Sequence, residues 1–166
     1  VLFLITFIVN SCTKLASDFD SNSSVEEIIK NAKEAFDKKD YTRAAEIYLK
    51  VEEFYPYSDS SREALVKAIS SYHAGSKFNE LRKTSKKYLD LYPKGKNASF
   101  AKYMVGMSYF EQIIDVERDQ GATMDSIREF SELIELYPNS KYALKAKRNI
   151  TIAKSQLAGQ EVAVGR

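Results

Sequence analysis

Apolar or small residues recur at steps of four, three and four before each of three Tyr-Pro pairs. The sets are Ala44, Tyr48, Val51 and Tyr55; Leu81, Ser85, Tyr88 and Tyr92; and Ser126, Phe130, Leu133 and Tyr137. Such steps keep one stripe on an α-helix. Pro56, Pro93 and Pro138 follow directly. Proline lacks an N–H and disfavours helical backbone in the residue before it, so each pair predicts a helix end. A second amphipathic stretch precedes each of these helices. Its marks are Ile28, Ala32, Ala35 and Phe36; then Leu65, Ala68, Ile69 and Tyr72; then Tyr103, Gly106, Tyr109 and Phe110. Lys38-Lys39-Asp40 and Gly75-Ser76-Lys77 are predicted turns inside the first two pairs, and Ser24 and Ser60 are predicted N-caps.

The chain is therefore read as helical hairpins in series. The prolines lie 37 and 45 residues apart. On a frame of about 34 residues per unit, both links carry the same short insertion. The third unit carries a further insertion between its helices, around Asp115 to Ala122. A hairpin of this length, with Asp40-Tyr41-x-x-Ala44-Ala45-x-x-Tyr48 and Pro56 eight residues later, resembles the tetratricopeptide repeat. That resemblance implies an all-α fold over residues 25–166, with hairpins stacked into a right-handed superhelix. Asn139 and Ser140 should open another helix, with Ile150, Ala153 and Leu157 on one face and Gly159 as its C-cap. Gln160 to Arg166 reads as the first turns of a further helix. About three repeats are expected, and a solenoid needs a polar terminal unit, so truncation at the C-terminus is expected.

The N-terminal end changes the picture. Val1 to Val9 are apolar except Thr6, and no charge precedes Lys14. The run is too short for a bilayer span, which takes about 20 residues. It fits the apolar core of a secretory signal, so residues 1–11 are expected to be a signal remnant whose start is clipped. Val9-Asn10-Ser11-Cys12 is similar to a lipobox, apart from Asn10. Cys12, the single cysteine, would carry the lipid, and residues 12–24 would be a flexible polar tether. Thr13 in place of Asp implies, by that resemblance, sorting to the outer membrane. The balance of 25 basic against 23 acidic residues argues against nucleic acid as a partner, which needs a basic excess on one face. The local run Lys83, Lys86, Lys87, Lys94 and Lys96 reads as a solvated face.

Tyr109-Phe110-Glu111-Gln112-Ile113 and Asp115-Val116-Glu117-Arg118-Asp119-Gln120 resemble the BamD (ComL) family of outer-membrane protein assembly lipoproteins. Phe54-Tyr55-Pro56-Tyr57-Ser58 and Leu157-Ala158-Gly159-Gln160-Glu161 agree with it, and the likeness runs from Cys12 to Arg166. It implies a non-catalytic scaffold on the periplasmic side of the outer membrane, lipid-anchored and without cofactors. Its implied partners are a BamA-like β-barrel subunit, other assembly lipoproteins and unfolded outer membrane protein substrates. It also implies five repeats in the whole protein. The rival reading is another periplasmic repeat lipoprotein, coordinating envelope constriction or cell division.

Catalytic and metal constellations are weak. His73 is the single histidine and has no cysteine or second histidine near it in sequence. Asp115, Glu117 and Asp119 alternate, but a calcium loop would need Gly and Glu where Gln120 and Ser126 stand. The repeat frame places Phe36, His73, Tyr103, Met107 and Phe110 at groove-lining positions of successive first helices. They lie off the packing stripes of the second helices. Aromatic and Met side chains with few charges suit a peptide-binding surface, so these five are the candidate binding residues of a concave groove.

Overall fold

The computed structural model describes residues 19–20, 22–113 and 120–164. Cys12, the lipobox and the Asp115–Asp119 run lie outside them. Among the described residues seven helices follow one another: α1 (Val25–Asp37), α2 (Tyr41–Phe54), α3 (Asp59–Ala74), α4 (Phe78–Leu91), α5 (Ala98–Ile113), α6 (Gln120–Leu136) and α7 (Lys141–Val164). Helices α1–α2, α3–α4 and α5–α6 are the three expected hairpins, and α7 is the further helix after Pro138. The chain is all-α, as its periodicity requires.

Local chemistry sets the helix ends. Ser24 accepts from the Glu27 N–H, Asp40 from Arg43, Ser58 from Ser61 and Ser140 from Ala143. Each satisfies a backbone donor that the first helical turn leaves open. The cap of α3 is thus Ser58, two residues earlier than the predicted Ser60. The turn at Pro56 closes at once, and Ser58 reaches the helix before Ser60 does. Helices α1 and α3 end alike. Asp40 N–H donates to Ala35 O and Lys39 N–H to Phe36 O; Lys77 N–H donates to Tyr72 O and Ser76 N–H to His73 O. This Schellman pattern takes a left-handed residue after the cap, which is Lys39 at φ 63° and Ser76 at φ 52°. Gly75 is the α3 cap at φ −89° and does not supply it.

Each second helix stops at the residue before Tyr, as the following proline demands. Tyr55 Oη then donates to Ser23 O at 2.7 Å, and Tyr137 Oη to Pro93 O at 2.9 Å. The tyrosines thereby tie a hairpin end to the segment before the hairpin. Tyr92 is half-buried rather than enclosed: its ring lies 5.3 Å from Tyr88, with the Arg62 guanidinium 5.7 Å away. Phe19 packs on the first core. Together with the Tyr55 bond to Ser23, this holds the end of the segment read as a tether against the first hairpin.

Two other expectations change. Helix α7 runs unbroken through Gly159 to Val164, so Gly159 is no C-cap and no separate helix starts at Gln160. An interior glycine costs a helix about 1 kcal/mol, too little to end it. Helix α6 opens at Gln120, so residues 120–122 are helical rather than part of an insertion.

The layering defines a curve. Each helix packs on the next in sequence, and the first helices also touch one another: α1 with α3, α3 with α5, α5 with α7. Among the described residues α2, α4 and α6 do not pack on one another. The inner layer is therefore α1, α3, α5 and α7, and the outer layer is splayed. Buried side chains follow the predicted stripes: Ala44, Tyr48 and Val51; Leu81, Ser85 and Tyr88; Ser126, Phe130 and Leu133. Volume is exchanged across the third hairpin. Phe130 is fully buried because Gly106 faces it, where a Cβ would come within 2.4 Å of the ring.

Candidate protein-binding surface

The five predicted groove residues all sit on inner helices, but the structure treats them differently. Phe36 on α1 is half-buried, edge-on to Tyr41 at 5.0 Å. His73 on α3 is half-exposed, with Nε2 2.7 Å from Glu111 Oε1 on α5. Tyr103 and Met107 on α5 are half-buried, and both are reached by Asn149 on α7. The Asn149 amide donates to Tyr103 Oη at 3.1 Å and lies 3.2 Å from Met107 Sδ. Burial pushes the Tyr103 hydroxyl pKa up, against the hydrogen bond from Asn149.

Phe110 is the correction. It is only 8% exposed, edge-on to Phe130 at 6.0 Å, and belongs to the second apolar core. Tyr103 also does structural work, lying between Phe130 at 5.5 Å and Tyr142 at 5.4 Å. The expectation that these residues stand off the packing faces fails for Phe110 and partly for Tyr103. The frame identified positions on the inner layer, and part of that layer is where one repeat packs on the next. Phe36, His73, the outer edge of Tyr103 and Met107 remain at the inner surface, with Phe110 as support beneath.

Sequence reasoning missed two features. The first is Lys102 Nζ, 2.7 Å from Glu129 and 2.6 Å from Glu132. Lys102 occupies the frame position of Ile28 and Leu65, and Glu129 that of Ile47, all buried aliphatics. Burial works against the Lys102 ammonium, but the bonds it donates to Glu129 and Glu132 outweigh it and raise its pKa. The bond from Lys102 in turn holds Glu132 below the usual carboxylate range. The break of an apolar repeat position by a charge in both helices of one hairpin was the available signal. The second is the outer face of α7, where Lys141, Lys145, Lys147, Arg148 and Lys154 are exposed beside Leu144 and Ile152.

Among the described residues no group of three His, Cys, Asp or Glu side chains could hold a metal ion, and no helix is long and apolar enough to cross a membrane. The site is a curved surface of stacked helices with half-exposed aromatic and sulfur-bearing side chains. This defines a helical-repeat module.

Residues 21–166 match the model of the family described as outer membrane lipoprotein, YfiO. The chain belongs to that family. It is 32% identical over 142 residues to a Caulobacter vibrioides protein, covering 86% of this chain and 47% of that one. It is 29% identical over 168 residues to a Rickettsia prowazekii protein, covering 99% and 66%. A Neisseria gonorrhoeae protein is 26% identical over 153 residues, covering 86% and 57%. All three are named outer membrane protein assembly factor BamD. The chain spans about half to two-thirds of the length of these relatives.

Proposed function

We propose that this chain is a repeat region of a non-catalytic scaffold that assembles β-barrel proteins into the outer membrane. It would be anchored through lipidated Cys12 and face the periplasm. Its inner surface, with Phe36, His73, Tyr103 and Met107 half-exposed and Phe110 in support, would hold extended segments of a BamA-like subunit, of other assembly lipoproteins, or of unfolded barrel substrates. The observation that carries this reading is the inner layer itself. Successive first helices touch, and Phe36, Tyr103 and Met107 on them stay half-exposed. Family membership supplies the envelope setting. No catalytic role is assigned to any residue.

Two experiments test it. Metabolic labelling with a palmitate analogue should tag the wild type and not Cys12→Ser; equal labelling of both would remove the anchor. Affinity purification from envelope extracts should recover a BamA-like barrel subunit. Recovery of septal peptidoglycan enzymes in its place would turn the assignment to cell division.

A further inference from the structure

Two apolar cores can be told apart, and they meet where the rings of Phe100 and Tyr142 lie 5.6 Å apart. One core draws on α1, α2, α3 and α4, and takes from α5 only Ala101, with Phe100 and Met104 beside it. The other draws on Phe110 and Ile113 of α5 together with α6 and α7. Polar contacts also cross from the first core to α5. Arg82 on α4 donates through Nε to Ser108 Oγ at 3.1 Å and through Nη2 to Ser108 O at 3.5 Å. Its guanidinium lies 3.7 Å from the centre of the Tyr109 ring. His73 bonds to Glu111 across the same junction at 2.7 Å.

The repeat frame shows how unusual this is. Arg82 occupies the position of Ala45, which is fully buried in the first core. The α2–α3 junction thus lies inside one apolar core, whereas at α4–α5 a guanidinium stands beside the apolar contacts of Ala101, Phe100 and Met104. Apolar contact is non-directional and roughly proportional to area. A stacked, forked guanidinium holds one geometry and depends on a few atoms. In stacked repeats, stability is approximately a sum of unit and neighbour-interface terms, so a different kind of interface creates a boundary.

We propose that the chain is two cooperative blocks, α1–α4 and α5–α7, and that Arg82 makes the directional contact on which their coupling chiefly depends. The blocks open separately, and the joint lies at α4–α5. Phe36 and His73 belong to the first block and Met107 to the second, so the joint also sets the alignment of the inner surface. That last consequence rests on the binding-surface reading; the blocks themselves do not.

Native-state hydrogen exchange on the intact chain tests this. Wild type should show two protection levels in low denaturant, one shared by α1 to α3 and another by α5 to α7. Arg82→Ala should speed exchange in α6 and α7 at least tenfold while α1 and α2 change less than twofold. Arg82→Lys should behave like the alanine variant, because an ammonium cannot reproduce both the stacking and the fork. A second variant does not touch the joint: Lys102→Leu with Glu129→Leu should slow exchange in α5 and α6 and leave α1 and α2 unchanged. One opening common to all helices in wild type would overturn the proposal. So would an Arg82→Ala effect spread evenly over the chain, or full rescue by Arg82→Lys.

Discussion

Lys102→Met alone is expected to destabilise the protein by about 3–5 kcal/mol, the usual cost of removing one partner of a buried ion pair. The Lys102 side chain is 10% exposed and that of Glu129 7%. Without the ammonium, Glu129 would remain a buried carboxylate with Arg128 at 3.6 Å. Glu132 is nearly half exposed and would return to solvent. Adding Glu129→Leu should recover most of the loss, because a well-packed apolar pair is often neutral or stabilising relative to a buried ionic one. Urea melts of the single and double variants decide it. A single variant within about 0.5 kcal/mol of wild type, as at surface sites, would mean that water reaches the pair.

Phe130→Ala is expected to cost about 3–5 kcal/mol, the range for truncation of a large buried aromatic. Phe130 is fully buried, fills the space left by Gly106, and meets both Tyr103 and Phe110. Thermal melts should show the loss, and Phe110→Ala should approach it. A loss below about 1 kcal/mol at Phe130 would show that α5 and α6 collapse together.

The hairpin order was legible because its punctuation is chemical. The Tyr-Pro pairs end helices, and the four-three-four stripes say which side of each second helix is covered. Ser58 was harder, since three serines stand near that helix start and only backbone geometry chooses among them. The groove residues show a deeper limit. Periodicity names a face of α5 but not the neighbour that covers it, and α6 and α7 cover Phe110 and much of Tyr103. The Lys102–Glu129 contact joins residues 27 apart, and Arg82 reaches Ser108 across 26. Neither separation is a helical spacing, so no local pattern announces them. Aligned repeats did carry the signal, as charges at positions where the first hairpin has aliphatics or alanine.

The central claim is that the inner layer is the working surface. Site-specific photocrosslinking in cells tests it most directly, with the photoreactive residue placed at Met107 on the inner layer or at exposed Lys83 on the outer layer. The account predicts that position 107 traps a barrel subunit or an unfolded barrel substrate and that position 83 does not. Trapping at position 83 with none at position 107 would contradict it, and would move function to the splayed outer helices.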